Sequence, residues 1–243
     1  MRYKALLSYD GSDFFGFQIQ NDKRTVELEL NNALKIIAKD DVKIYPSGRT
    51  DRYVHALAQV IHFDIKNDIP PSRFKNALNK ALPQDIHVNS IEVVSDDFHS
   101  RFSAKSKEYR YYINLGEENP FRVRYEAYIN NLDINLMEDA IKLFIGKHDF
   151  KGFASAQIDE RKDTIKEIFE AKINRLDDNR LEFIFIGTGF LKYQIRRMMG
   201  ALIEIGRKKE DKEIINKILM TKDTKLCHKV APGCGLYLYK VNY

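Results

Sequence analysis

The chain has no tryptophan and only two cysteines among its 243 residues. Cys227 and Cys234 are too few and too close together for a disulfide framework. Neither sits in a pattern that would activate a thiolate, so the expected role of each is that of a small buried hydrophobe. Only His228 lies near them, and no His, Cys, Asp and Glu spacing has the form of a metal site. A glycine-rich loop of the P-loop or dinucleotide type is also missing. No apolar run approaches the roughly 18 residues that a membrane span requires. Asp10 interrupts the first apolar stretch too early for a signal peptide, which points to the cytosol.

What is present describes an ordinary globular chain. Hydrophobic residues make up 44% and charged residues 31%, enough to build a core and too apolar for disorder. The formal net charge of +5 is a mild excess, and its distribution says more than its size. Cations gather at Arg101, Lys105 and Lys107, at Arg122 and Arg124, at Arg196 and Arg197, and at Arg207, Lys208 and Lys209. Phe98, Phe102, Tyr109, Tyr111, Tyr112, Phe121 and Tyr125 are interleaved with them. That mixture suits a surface holding phosphates with cations and bases with rings. Solvated faces over core aromatics would account for it equally well.

Periodicity places a strand at 3–9, a helix from an N-cap at Thr25 to about Ala38, and a strand near 42–45. A strand at 56–65, a helix opened by Pro70-Pro71-Ser72 and a strand at 86–94 follow. The order β-α-β-β-α-β is a ferredoxin-like pattern. The rest reads as a longer version of the same plan. It has a strand at 102–115, a helix at 135–145 closed by Gly146, and strands at 163–175 and 180–187 around Asp177-Asp178-Asn179. Helices at 190–206 and 210–220 and a strand at 235–241 complete it. The expected class is α+β: two ferredoxin-like halves, 1–104 and 105–243, with mainly antiparallel sheets packed or merged around a central basic cleft.

Asp51 leads the candidate residues. It follows a Pro-Ser-Gly turn signal and precedes an apolar strand, and a loop residue positioned by a strand is a common place for chemistry. A turn-capping role is the plainer alternative. Arg49, two residues earlier, would keep the carboxylate ionised and oriented, as a base or nucleophile requires. Tyr109 could pack within its strand or stack on a nucleobase. Arg196 lies one step round from the stripe Leu191, Ile195, Met198, Leu202 and Ile205, so it either snorkels to solvent or needs a buried partner. His148-Asp149-Phe150 reads as a turn whose Phe150 and Phe153 anchor a helix end.

Six ordered motifs together resemble the tRNA pseudouridine synthase A family nearly end to end. They are Tyr9-Asp10-Gly11-Ser12 with Phe14, Gly16, Phe17, Gln18 and Gln20; Gly48-Arg49-Thr50-Asp51 with Val54-His55-Ala56; Phe98–Ala104 with Tyr109-Arg110-Tyr111; Gly146–Phe150; Phe190–Gly200; and Ala231-Pro232 with Gly235–Leu238. The resemblance implies that Asp51 is the catalytic aspartate, that Tyr109 stacks on the target uracil and that Arg196 pairs with Asp51. It implies that Arg49 takes part in flipping the nucleotide. It also implies a homodimer acting without cofactor or metal on uridines at positions 38 to 40 of the tRNA anticodon stem-loop. One departure is plain: the family usually has a small residue and then Gly after the aspartate, where this chain has Arg52 and Tyr53. A non-catalytic RNA-binding protein on the same scaffold is the alternative that this altered loop raises. An Asp-based glycosidic hydrolase is a third, against which no motif places a second carboxylate.

Overall fold

A computed structural model describes residues 1–157 and 163–243. In chain order its elements are β1 (Arg2–Tyr9), α1 (Val26–Ala38), β2 (Tyr45–Pro46), β3 (His55–Asp64), α2 (Pro71–Ala81), β4 (Ile86–Val94), β5 (Ser106–Asn114), β6 (Ala127–Tyr128), α3 (Ile134–Ile141), β7 (Gly146–Asp149), β8 (Ile165–Arg175), β9 (Arg180–Gly187), α4 (Gln194–Gly206), α5 (Glu213–Thr221) and β10 (Leu236–Asn242). The protein is α+β, and its strands pair mostly antiparallel. They belong to two compact units, Met1–Lys105 with Tyr237–Tyr243, and Ser106–Leu236.

In the first unit β1 lies between β3 and β4, antiparallel to both, and β2 pairs with the far edge of β3. The order β4-β1-β3-β2 follows when each helix of a βαββαβ chain crosses over one intervening strand. Strict alternation along β1 turns Tyr3, Ala5, Leu7 and Tyr9 into the core. Phe63 and Ile61 share that face through their register with Tyr3 and Ala5. The rings of Tyr3, Phe63 and Phe74 close the core against α2 at centroid distances of 5.1–6.0 Å. Thr25 caps α1, its hydroxyl accepting from Leu28 N.

The strand expected near 42–45 is only the two-residue β2. The pairing starts only at Tyr45, leaving 42–44 outside it, and ends after one further bond from Ser47 N to the Val60 carbonyl. That leaves the N-terminal end of β3 open on this edge, and β10 takes it: Tyr237 and Leu238 pair parallel with His55 and Ala56.

The opposite face of this sheet carries Arg2, Lys4 and His62. His62 is buried, stacked on Tyr45 at 4.7 Å and edge-on to Phe98 and His99. Burial, helped by His99 and Arg2, pushes its imidazolium down to about 4. In the unfolded chain the ring takes its proton first, near its ordinary value. Stability present above about pH 6.5 should therefore be lost as the pH falls toward 4, by about 1–3 kcal/mol. Urea midpoints should decline over that window in the wild type and decline less in His62→Gln. Parallel slopes would show that His62 is not the group responsible.

In the second unit the order is β5-β9-β8-β7, antiparallel throughout, with β6 parallel to β5. Tyr109, Tyr111 and Ile113 face one side, opposite Phe185, Phe183 and Leu181. On the other side Glu182 receives Arg110, Tyr112 and Asn174. His148-Asp149 is not the expected turn: it forms the edge strand β7, paired with Ile165 and Lys166 of β8. Phe150 and Phe153 do anchor the following turn, both fully buried. The helix expected from 190 begins at Gln194, because Tyr193 takes a left-handed φ of 66°. The Gln194 side chain then accepts from Leu191 N, closing the entry to the helix.

Candidate active site

The Asp51 loop runs from the end of β2 to the start of β3 and is held from several sides. Ser47 is buried, its hydroxyl donating to Gln59 Oε1 at 2.7 Å, and Gln59 Nε2 donates to the Gly48 carbonyl at 2.7 Å. Thr50 is buried with its hydroxyl 2.8 Å from the Tyr9 hydroxyl. The Asp51 carbonyl accepts from Val54 N, which turns the chain into β3. Asp51 itself is half-buried, whereas Arg49 is exposed.

The segment after β1 forms the cradle beneath this loop. A Cβ on Gly11 would lie 2.1 Å from the Val54 carbonyl oxygen, so only glycine lets the two backbones approach. Gly16, at φ +93°, has its missing Cβ 2.9 Å from the Thr50 carbonyl oxygen. The next residue, Phe17, donates its N–H to that same oxygen. Gly11 N donates to His55 Nδ1 at 3.0 Å, and the His55 ring stacks on Tyr237 at 4.6 Å. The Gly and Phe spacing of 9–17 was visible in the sequence, but its contact with the Asp51 loop was not. His55, whose sequence signal is only its place beside Val54 and Ala56, joins the cradle to the last strand.

Arg52 and Tyr53 fold back over the cradle. The Arg52 guanidinium carbon lies 4.1 Å from the Phe15 ring centre and 4.3 Å from that of Tyr53, both in cation–π range. Tyr53 sits at φ 67°, in the left-handed region that favours glycine or asparagine. Tyr53→Val should therefore cost about 1–2 kcal/mol more stability than Tyr53→Asn, because a β-branched side chain resists this backbone most. Equal urea midpoints for the two variants would show that the loop relaxes instead.

Tyr109 and Arg196 lie in the second unit. Tyr109 is buried in β5 and meets Phe190 edge-on at 5.3 Å. Arg196 is half-buried near the start of α4. Its Nε donates to the Ala231 carbonyl at 2.8 Å, Ala231 N returns a bond to the Arg196 carbonyl, and Tyr193 packs against the guanidinium at 5.3 Å. Arg196 thus does not simply snorkel: the segment at Ala231 fixes the plane of its guanidinium. Tyr111, fully buried, donates its hydroxyl to the Pro232 carbonyl, and a Cβ on Gly235 would meet the Tyr112 carbonyl oxygen at 2.7 Å. The Gly-Cys-Gly entry to the last strand is a close-packed wedge.

Cys227 is buried as expected, whereas Cys234 is only half-buried. Burial raises the thiols of Cys227 and Cys234 above their ordinary value, so neither is poised as a nucleophile. Among the described residues no group of three or more His, Cys, Asp or Glu side chains could hold a metal ion. No described helix is long and apolar enough to cross a membrane.

The sequence matches the family model described as tRNA pseudouridine synthase over residues 5–103 and 140–243. A protein of Anoxybacillus flavithermus named tRNA pseudouridine synthase A is 44% identical over all of this chain and 98% of its own length. One of the same name from an Exiguobacterium species is 42% identical, also over all of this chain and 98% of its own length. Among solved structures, a chain of a Cbf5-Nop10-Gar1 complex aligns with a TM-score of 0.33 at 10% identity, covering 82% of this chain and 54% of that one. That likeness is too slight to bear on the fold.

Proposed function

The chain belongs to the tRNA pseudouridine synthase family, a family of isomerases, and from that membership we propose that it converts uridine to pseudouridine at positions 38 to 40 of the tRNA anticodon stem-loop. The observation that carries this reading is the full-length similarity to proteins named tRNA pseudouridine synthase A, at 44% and 42% identity. The reaction breaks the N-glycosidic bond, turns the uracil and rejoins it through C5, which gives up its hydrogen as a proton while the freed N1 takes one up, so the composition of the substrate is unchanged.

Asp51 is the catalytic carboxylate in this proposal, on a loop whose backbone is fixed by the Gly11–Phe17 cradle. It either attacks the uracil ring or the ribose, or abstracts a ribose proton; each step needs the ionised form. A uridine paired in a stem must first leave its stack, at a cost of a few kcal/mol. Arg49, exposed beside Asp51, takes part in flipping the nucleotide, Tyr109 stacks on the uracil, and Arg196 holds the substrate from the start of α4. The enzyme works as a homodimer in the cytoplasm, and shape and phosphate contacts select the tRNA arm.

Incubating the purified protein with unmodified tRNA and mapping pseudouridine tests the reading. Conversion confined to the anticodon arm is the expected result. Binding without conversion would make it an RNA-binding protein, and release of free uracil would make it a glycosidic hydrolase.

A further inference from the structure

The loop Phe98–Lys105 is tied down along most of its length, yet its tip carries a large ring into solvent. The Arg2 guanidinium donates to the carbonyls of Asp96 and Phe98. Ser100 N donates to His62 Nδ1 at 3.1 Å, the Ser100 hydroxyl donates to the Tyr45 carbonyl at 2.5 Å, and the Tyr243 hydroxyl donates to the Ser100 carbonyl at 2.7 Å. His99 Nδ1 accepts from Arg101 N at 3.1 Å and Phe102 N at 3.4 Å. Ser103 N bonds back to the His99 carbonyl, and Lys105 N to the Asn242 carbonyl. Burial lowers the His99 imidazolium, aided by Arg2 and Arg101, which keeps Nδ1 available as an acceptor.

At the tip of this fixed backbone Phe102 is 76% exposed, its ring 4.4 Å from that of His99 and within 5.6 Å of the Arg101 guanidinium carbon. Arg101 and Lys105 are exposed as well, and no acidic residue occurs between Asp97 and Glu108. Leaving a phenylalanine in water forgoes about 1.5–3 kcal/mol of burial, and ordering a loop costs further backbone entropy. A preformed ring with cations beside it and no carboxylate in its segment matches a nucleobase and its phosphates, since stacking is indifferent to base identity and phosphate contacts need only positive charge.

We propose that this loop is a preformed RNA-docking element, in which Phe102 stacks on an unpaired base of the RNA substrate and Arg101 and Lys105 hold the neighbouring phosphates. The inference rests on the reading that the substrate is RNA, and it assigns to Phe102 a binding role away from the reacting atoms.

Because the chain has no tryptophan, Phe102→Trp places a single reporter at the tip. Its emission should be quenched when unmodified tRNA is titrated in. Phe102→Ala should raise the Kd for tRNA and the KM for pseudouridine formation about 10- to 100-fold with kcat within about threefold, and Phe102→Tyr should restore both. The ring is exposed, so these variants keep the fold. Indole emission left unquenched in Phe102→Trp, or unchanged Kd and KM in Phe102→Ala while the wild type makes pseudouridine, would overturn the docking role and leave the enzymatic reading intact. A change of oligomeric state in Phe102→Ala, with tRNA affinity unchanged, would overturn it in favour of a contact between two copies. A wild type that neither binds nor modifies tRNA would remove both readings together.

Discussion

Asp51→Asn should reduce pseudouridine formation by at least about 10³-fold, the scale on which enzymes lose rate when the reacting group itself is removed. The substitution is nearly isosteric, and several bonds that do not involve the carboxylate hold the loop. Its backbone is held by Phe17 N on the Thr50 carbonyl, by Val54 N on the Asp51 carbonyl and by Gln59 on the Gly48 carbonyl. Stability and tRNA affinity should consequently stay within about threefold of wild type. An amide cannot serve as nucleophile or general base, so all three routes open to Asp51 fail alike. Single-turnover conversion of unmodified tRNA, read beside a binding titration, separates the outcomes. Retention of a tenth or more of the wild-type rate by Asp51→Asn would remove Asp51 from the chemistry.

The cradle explains why two motifs distant in sequence belong to one device. Gly11 and Gly16 matter for what they omit: a methyl group at either would press on the Val54 or Thr50 carbonyl and displace the loop that carries Asp51. The same contact bears on Arg52 and Tyr53. With Phe15 supplying a ring beneath Arg52, the two residues form a small stack of their own, and the left-handed turn persists at Tyr53 without glycine. Local strain of about 1–2 kcal/mol at such a place is retained when the surrounding bonds over-determine the path. Here those bonds include Tyr53 N to the Phe14 carbonyl at 3.4 Å.

Much of the first unit was legible because its signals are local. Alternation along 3–9, the Thr25 cap and the Pro70-Pro71 start each name an element within a few residues, and each appears. The late start of β2 at Tyr45 was not legible, since no stop signal separates residues 42–44 from it. Nor was the pairing of β10 with β3, because nothing in residues 236–242 marks a partner that lies some 180 positions earlier. A separation of 143 positions likewise hid the fixed course of the loop at 98–105, whose backbone is tied to Tyr243 and Asn242. In the sequence the interleaved cations and aromatics form one population. The structure separates them, with Tyr111 and Arg197 buried and Phe102 and Phe121 exposed at 76% and 86%.

Arg197 is the sharpest case, and replacing it should have the largest effect on stability. In the sequence it stands with Arg196 as a basic pair, yet the helical turn that leaves Arg196 half-buried carries Arg197 inward to 7% exposure. No carboxylate meets it among the described contacts. Its guanidinium instead donates to the carbonyls of Ala154, Thr224 and Cys227, and among the described residues its buried Nε meets no partner. Arg197→Met keeps much of the volume but orphans three carbonyls, each worth about 1–3 kcal/mol when buried unsatisfied. A loss of about 3–5 kcal/mol is expected in urea unfolding. Arg197→Lys should recover only part of it, since one ammonium cannot span the fork. Arg196→Ala should do the reverse, lowering turnover because Arg196 is proposed to hold substrate, and costing less stability than Arg197→Met because Arg196 is half-buried where Arg197 is buried. A loss below about 1 kcal/mol in Arg197→Met would contradict the cage, and unfolding by Arg196→Ala would contradict the division between the two arginines. The division has a structural consequence of its own. Arg197 clamps Thr224 and Cys227 to α4, while Ala231, four residues further along, bonds Arg196 in both directions. The buried arginine therefore anchors the segment that orients the half-buried one, and partial undocking of 224–231 should lower turnover before the fold is lost.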